Sequence, residues 1–221
     1  MVWNIPNTLT LLRLLAAPGV AVMFLYFHRP WADWFALTLF VGAAITDWFD
    51  GYLARLWKQE SRFGAMLDPI ADKAMVVIAL LIITGYSGMN PWLILPATII
   101  LFREVFVSGL REFLGAKTVQ LKVTRLSKWK TTAQMVAIAV LFLGTGLEYL
   151  NGVAMQGMTP DQYTEAVMAG LADPVRACGK HDCASYANMV GLGLIWFAAI
   201  LTVITGLEYF VKSIPHLRDE P

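Results

Sequence analysis

Long apolar stretches separated by short polar segments run through the whole chain. Several of these stretches approach the roughly 20 residues that an α-helix needs to cross a bilayer. The pattern predicts six membrane spans, at residues 8–27, 33–56, 69–87, 91–113, 131–149 and 187–211. We therefore expect an all-α membrane protein, a six-transmembrane-helix bundle that forms a single domain over residues 1–221.

Turn-forming residues mark the breaks between these spans. They include His28-Arg29-Pro30, the segment 86–91 with its glycine and proline, and the polar stretch 114–130. The longest gap, residues 150–186, predicts an extended loop. Residues 3–7, ahead of the first apolar run, are expected to lie along the membrane surface as a short N-terminal interfacial segment.

Composition supports a membrane location. Hydrophobic residues make up 57% of the chain and charged residues 15%, and mean hydropathy is +0.59. A soluble domain would need more polar surface to cover its core. A net charge of +1 gives no reason to expect nucleic acid as a partner. The N-terminus lacks the basic region and cleavage site of a signal peptide, so we expect the first run to remain as a span.

Lys and Arg are distributed unequally between the two sets of loops. The loops on one predicted side are rich in them, and we expect that side to be cytoplasmic, with both termini. The residues on this side are Arg55, Lys58, Arg62, Lys117, Lys122, Arg125, Lys128, Lys130, Lys212 and Arg218. The opposite side carries only Arg29, Arg176 and Lys180. We expect a multi-pass protein of a bacterial-type inner (cytoplasmic) membrane, in contact with membrane lipids.

Four aspartates flank the turn between the second and third spans, in the sequence DWFDGYLARLWKQESRFGAMLDPIAD. Asp47 and Asp50 are three residues apart and Asp68 and Asp72 are four apart, so each pair shares one helix face. A hairpin of the two helices would bring all four carboxylates together near the cytoplasmic edge of the membrane.

Such a cluster needs compensating positive charge, because buried carboxylates cannot all stay ionised alone. Hard cations such as Mg²⁺ or Mn²⁺ prefer oxygen ligands, and two of them can clamp a pyrophosphate. Gly51 and Gly64 allow a close approach, and Ala54 keeps the same face open. Arg55 offers a planar donor for phosphate oxygens.

Three other interpretations were weighed. The aspartates could be solvated loop residues or ion-pair partners, but charges at a membrane edge are costly and usually functional. A cation transporter would place its carboxylates near the bilayer midplane, beside discontinuous helices. Neither a transporter nor a purely structural membrane subunit explains the glycine, alanine and arginine positions.

The motif D-x2-D-G-x2-A-R-x8-G-x3-D-x3-D resembles the signature of the CDP-alcohol phosphatidyltransferases, and it covers 26 residues here. The resemblance implies a divalent-metal enzyme, with two ions of Mg²⁺ or Mn²⁺, that acts on CDP-diacylglycerol as a homodimer. It further implies that Asp47, Asp50 and Asp68 hold metal and that Asp72 is a shared ligand or the general base. By the same resemblance, the CDP-lipid would be surrounded by Gly51, Ala54, Arg55 and Gly64.

A second polar cluster lies in the fourth and fifth spans. Arg103 and Arg111 are eight residues apart, or about 80 degrees around the helix, so both can edge one pocket. With Lys128 and Lys130 they could bind a second phosphate, although such lysines also occur as ordinary cytoplasmic flanks. We do not expect Arg103 to pair with Glu104, because adjacent residues point to different faces.

These segments, together with the opening residues 4–13, resemble the phosphatidylglycerophosphate synthase branch of the family. The branch implies sn-glycerol 3-phosphate as the acceptor and adds Asn7 and Thr8 to the CDP-lipid site. Ser127 departs from the glycine expected before Lys128, and the loop 150–186 is longer than expected. Phosphatidylglycerol, inositol phosphate and serine remain alternative acceptors.

The two cysteines, Cys178 and Cys183, both lie in the predicted outer loop. A disulfide between them is plausible in an oxidising compartment. A zinc site would need more ligands than His181 and Asp182 readily supply. Two unpaired thiols remain the alternative.

Overall fold

The computed structural model describes the backbone of residues 5–29, 31–57, 62–115, 125–155, 161–162 and 180–217. Within these ranges the side chains of residues 5–6, 47–57, 62, 125, 127–128, 151–155, 180–183 and 216–217 are not described. The described residues are almost entirely helical and contain no β-strand. The expectation of an all-α protein is confirmed.

Six helices form within the described residues. They are α1 (Ile5–Tyr26), α2 (Trp31–Trp57), α3 (Arg62–Tyr86), α4 (Pro91–Leu114), α5 (Arg125–Met155) and α6 (Lys180–Leu217). In the described part, four segments are long and apolar enough to cross a membrane: Asn7–Tyr26, Pro91–Leu114, Trp129–Leu150 and Ala184–Pro215. Helix α2 contributes a shorter apolar stretch, Trp31–Thr46. A membrane protein is thus confirmed, whereas the count of six spans stays a prediction.

Contacts along the helices define which ends lie together. Helices α1 and α3 run parallel, because Thr10 bonds to Asp68 near their starts and the Tyr86 hydroxyl donates to the carbonyl of Phe24 (2.9 Å) near their ends. Helices α4 and α6 are also parallel. Trp196 Nε1 of α6 donates to the carbonyl of Trp92 near the start of α4 (2.9 Å), and Tyr209, farther along α6, contacts Arg111 near the end of α4.

Two ends of the bundle can therefore be named. The aspartate end comprises the starts of α1, α3 and α5 and the final turns of α4 and α6, and includes residues 7–13, 68–73, 103–111, 130–134 and 205–213. The Arg29 end comprises the opposite ends of the same helices together with the start of α2, and includes residues 24–33, 84–92 and 142–149.

An apolar core fills the space between the two ends. The rings of Phe24 and Phe40 both pack on Phe142, at centroid distances of 5.9 and 5.7 Å. Helices α5 and α6 approach each other closely at Gly191. A Cβ atom added to this glycine would lie only 2.8 Å from Leu141 Cδ2. The close approach fixes α6 against α5, and it also positions the polar residues farther along α6.

Helix α4, which carries the predicted acceptor residues, has well-defined ends. The Asn90 side chain accepts a hydrogen bond from the Trp92 backbone N–H (3.0 Å), and Pro91 occupies the first turn, where a missing N–H costs nothing. Gly115 ends the helix with φ +50°, a conformation that favours glycine, and its N–H donates to the carbonyls of Arg111 and Glu112. The two caps fix which residues of α4 reach the aspartate end.

Several helices extend beyond the predicted spans. Residues 5–7, predicted as part of an interfacial segment, form the first turn of α1, where Pro6 suits a helix start and Asn7 is buried. Residues 1–4 lie outside the described part. Helix α5 begins at Arg125, so the polar stretch 114–130 is partly helical.

Both ends of the segment predicted as a loop at 150–186 are helical, because α5 continues to Met155 and α6 begins at Lys180. Hydropathy detects only the apolar part of a helix, whereas backbone hydrogen bonds extend it into polar sequence. Residues 156–160 and 163–179 lie outside the described part of the chain.

Candidate active site

Two aspartates on α3 contact two polar residues on α1 at the aspartate end. The Thr10 hydroxyl donates to Asp68 Oδ1 (2.7 Å), and an Arg13 guanidinium nitrogen lies 3.4 Å from Asp72 Oδ1. Thr10 and Arg13 are 2% and 3% exposed. Because the helices are parallel, the step of one turn from Thr10 to Arg13 on α1 matches the step of one turn from Asp68 to Asp72 on α3. Polar groups placed so regularly inside an apolar helix pair indicate a functional site.

The carboxylate of Asp72 remains 45% exposed although its arginine partner is buried. Gly64, Asp68 and Asp72 follow at four-residue spacing on α3, so they share the face that the sequence predicts. Gly64 is buried one turn before Asp68. One face of α3 thus offers two carboxylates, one of them open to a ligand.

The other half of the motif lies on α2. Asp47, Asp50, Gly51, Ala54 and Arg55 belong to its last turns, but their side chains lie outside the described residues. In the part of the chain whose side chains are described, no three His, Cys, Asp or Glu residues form a metal-ligating group. Two of the four predicted ligands are not part of that set, so the metal assignment stays a prediction.

Of the two α1 residues assigned to the CDP-lipid, Asn7 is buried and Thr8 is exposed. Asn7 precedes Thr10 by three residues, which places it on the same face of α1. The structure thereby adds Thr10 and Arg13 to the residues beside the motif. A charged residue within an apolar run was the signal that could have identified Arg13 from the sequence.

The second cluster is centred on Glu104 of α4. Its carboxylate accepts from Arg103 (3.3 Å) and also from the Lys130 ammonium group. The expectation that Arg103 and Glu104 do not pair was therefore wrong. Their Cβ atoms do point to different faces, but the long arginine side chain reaches back to the carboxylate that Lys130 also binds. The side chains of Arg103, Glu104 and Lys130 are only 13%, 14% and 6% exposed.

Both predicted acceptor arginines of α4 face α6. Arg103 passes Gly206, where an added Cβ atom would lie 3.0 Å from Arg103 Cγ. The Arg111 guanidinium lies over the ring of Tyr209, 5.2 Å from its centroid. Gly206 and Tyr209 are three residues apart and share a face of α6. The structure thus brings Arg103, Arg111 and Lys130 to one region, while the side chain of Lys128 lies outside the described residues.

Lys73 connects the two clusters. It follows Asp72 directly on α3, and its ammonium group donates to the Ser108 hydroxyl, which in turn donates to the Glu104 carbonyl. Sequence reasoning did not single out Lys73 or Tyr209. Lys73 stands beside the motif at the edge of an apolar run, whereas no sequence signal distinguishes Tyr209 from an interfacial tyrosine. Cys178 lies outside the described residues, as does the side chain of Cys183.

A helical membrane bundle with a carboxylate face beside a cation cluster fits a transferase that acts on phosphate esters. The chain matches the CDP-alcohol phosphatidyltransferase family over residues 3–204, and it belongs to this family.

Three relatives carry the name CDP-diacylglycerol–glycerol-3-phosphate 3-phosphatidyltransferase. The protein of Cereibacter sphaeroides is 79% identical over 220 residues, which cover 100% of both chains. The protein of Salmonella choleraesuis is 46% identical over 143 residues, 64% of this chain and 78% of that one. The protein of Shigella flexneri serotype 5b is 40% identical over 185 residues, 78% of this chain and 100% of that one.

Proposed function

We propose that this chain transfers the phosphatidyl group of CDP-diacylglycerol to sn-glycerol 3-phosphate, giving phosphatidylglycerophosphate and CMP. The names of its relatives support this reaction. The observation that supports the proposal most directly is that two different clusters, one of carboxylates and one of cations, lie at the same end of the bundle. The carboxylates of α3 suit a metal-bound diphosphate, and the buried cations of α4 and α5 suit the phosphate of the acceptor.

Asp47, Asp50 and Asp68 would hold two divalent ions, Mg²⁺ or Mn²⁺, and Asp72, the fourth aspartate of the motif, would act beside them as the general base. The described half of this set fits these roles, because Asp68 and Asp72 share a face and Asp72 keeps 45% of its side chain exposed. Carboxylate oxygens are the ligands that both metals prefer. When bound, the ions would neutralise the diphosphate and the departing CMP.

Gly51, Ala54, Arg55, Gly64, Asn7 and Thr8 bind the CDP-lipid in this proposal. Asp72 takes the proton from the free hydroxyl of the acceptor. The acceptor oxygen forms a bond to the lipid-side phosphorus, and the bond from that phosphorus to the CMP oxygen breaks. Arg13 lies 3.4 Å from one oxygen of Asp72 and so restricts the orientation of the carboxylate during proton transfer.

Arg103, Arg111, Lys128 and Lys130 bind the phosphate of the acceptor. Within the described cluster, Glu104 accepts from two cations, Arg103 and Lys130, and Arg111 adds a third beside Tyr209. Three cations of the described residues therefore gather near one carboxylate. A phosphate carries the charge and the acceptor oxygens that such a cluster binds, whereas a neutral alcohol carries no charge to match it.

The protein lies in a bacterial-type inner membrane in this proposal, with the aspartate end facing the cytoplasm, and it works as a homodimer. The basic flanks at this end support the orientation. The orientation can be tested on Cys178 and Cys183 with a membrane-impermeant maleimide. Labelling from outside, after reduction if the two are joined, fits the proposal. Labelling from the cytoplasmic side alone contradicts it.

An acceptor screen tests the proposed reaction. Purified protein, CDP-diacylglycerol and Mg²⁺ are mixed with glycerol 3-phosphate, glycerol, serine, inositol phosphate or phosphatidylglycerol, and CMP release is measured. We expect release with glycerol 3-phosphate and little with glycerol, which differs only by the phosphate. Release that requires another acceptor and ignores glycerol 3-phosphate would refute the proposal.

A further inference from the structure

Two buried polar atoms beside the cation cluster have no hydrogen-bond partner among the described residues. They are Arg103 Nε and the hydroxyl oxygen of Tyr209. A buried donor without a partner costs about 1–3 kcal/mol, so proteins rarely leave one without a reason. A phenylalanine at position 209 would fill nearly the same space without this cost. The buried hydroxyl of Tyr209 therefore indicates that a ligand supplies its hydrogen-bond partner.

Tyr209 lies near both acceptor arginines. Its side chain is buried, with 9% of the residue exposed, and its ring carries the Arg111 guanidinium at 5.2 Å. One turn earlier on α6, Gly206 makes room for Arg103. The phenolic oxygen also lies within electrostatic range of the Arg103 guanidinium. A ligand bound by both arginines would thus lie next to the hydroxyl.

We propose that Tyr209 is a further acceptor-binding residue, whose hydroxyl donates a hydrogen bond to a phosphate oxygen of the acceptor. Its ring holds Arg111 in place for the same phosphate through a cation–π contact. Arg103 Nε supplies a second donor that the acceptor would satisfy. This inference rests on the proposed function, and it names a residue of α6 as part of the acceptor site.

The Tyr209→Phe variant tests the hydroxyl alone, because it keeps the ring beneath Arg111. A hydrogen bond to a charged group contributes about 1.5–3 kcal/mol, so we expect the KM for glycerol 3-phosphate to rise about tenfold or more. The KM for CDP-diacylglycerol should stay unchanged, and thermal stability should not fall. Glycerol 3-phosphate should also raise the unfolding temperature of this variant less than that of the wild type.

The matched control is Tyr86→Phe at the Arg29 end. The Tyr86 hydroxyl donates to the carbonyl of Phe24 at 2.9 Å, so its removal should lower the unfolding temperature and leave both KM values unchanged. Tyr209→His, which restores an N–H donor, should recover part of the acceptor affinity.

An unchanged acceptor KM in Tyr209→Phe overturns the inference, and so does an equal rise for both substrates. These outcomes leave the proposed reaction intact if the wild type still uses glycerol 3-phosphate. If the wild type uses another acceptor, the proposed reaction fails, and the same comparison is made with that acceptor. If that acceptor carries a phosphate, a rise of its KM in Tyr209→Phe supports the inference. If the wild type uses an acceptor without a phosphate, the inference is refuted.

Discussion

The two ends of the bundle each hold an arginine beside a carboxylate, but the surroundings of the two arginines differ. At the Arg29 end, Arg29 Nε donates to Asp33 Oδ2 (2.8 Å) and another nitrogen donates to the Thr145 carbonyl (3.1 Å). The guanidinium lies between the rings of Tyr86 and Tyr149, 5.2 and 4.7 Å from their centroids. The hydrogen bond to Asp33 raises the pKa of Arg29. One cation faces one carboxylate, beside a backbone carbonyl and two aromatic rings.

At the aspartate end, one carboxylate serves two cations. Glu104 binds both Arg103 and Lys130, while Arg103 Nε has no partner among the described residues. This difference separates a structural ion pair from a binding site. A one-to-one ion pair with a further hydrogen bond joins helices, whereas two cations that share one carboxylate, with a buried donor that lacks a partner among the described residues, suit an anionic ligand.

The largest contrast is expected between Asp72→Asn and Asp33→Asn. Loss of a general base typically slows turnover by about 10²–10⁴-fold, so Asp72→Asn should retain binding of metal and CDP-diacylglycerol but little activity. Asp33→Asn, at the Arg29 end, should lower the unfolding temperature and leave kcat per folded molecule unchanged. CMP release and thermal unfolding in one detergent measure both.

Asp68→Asn extends this comparison. It should raise the metal concentration required for the activity that remains, because Asp68 is proposed as a ligand. If Asp72→Asn loses metal affinity as severely as Asp68→Asn, then Asp72 acts as a ligand and the base is another group.

Next in size is the effect of removing the shared carboxylate. Glu104→Gln leaves Arg103 and Lys130 buried without their counter-charge, and breaking a buried pair costs about 3–5 kcal/mol. Glu148→Gln is the control, because Glu148 is exposed and contacts Asn188 at 3.3 Å at the Arg29 end. Equilibrium unfolding in mixed micelles should show a large loss only for Glu104→Gln. Equal stability of the two variants would mean that the cations do not depend on Glu104.

A smaller effect is expected from Arg111→Ala, which removes an acceptor contact worth about 1.5–3 kcal/mol. The KM for glycerol 3-phosphate should rise about tenfold or more, and the KM for CDP-diacylglycerol should change much less. Arg29→Ala should reduce thermal stability without changing either KM. Equal effects of Arg111→Ala on both substrates would indicate a structural role.

The smallest effect is expected from Gly206→Ala. The new Cβ atom would lie 3.0 Å from Arg103 Cγ, so Arg103 must shift by a few tenths of an ångström. We expect the acceptor KM to rise roughly two- to fivefold, a fraction of a charge-assisted contact. Gly193→Ala, on the same helix with nothing within 4 Å of the new atom, should leave the KM unchanged. An equal KM in both variants would show that the position of Arg103 is not restricted at Gly206.

Much of this arrangement could be predicted from the sequence, since apolar runs indicate helices and the spacing of Asp68 and Asp72 indicates a shared face. The first turn of α1 and the ends of α5 and α6 could not, because hydropathy does not report backbone hydrogen bonding in polar segments. The Arg103–Glu104 pair does not follow from Cβ directions, because it depends on the length of the arginine side chain, which reaches back to Glu104. Tyr209 joins the cluster only through the packing of α6 on α4, which no local pattern encodes.

We propose above all that the cations gathered at the aspartate end bind the phosphate of an acceptor that becomes part of a lipid. The most direct test supplies ³²P-labelled glycerol 3-phosphate with CDP-diacylglycerol and Mg²⁺ to the purified protein and counts label in the lipid fraction. We expect one labelled lipid for each CMP released, and a sharp loss of both in Arg111→Ala at low acceptor concentration. Release of CMP without label in lipid would contradict the account.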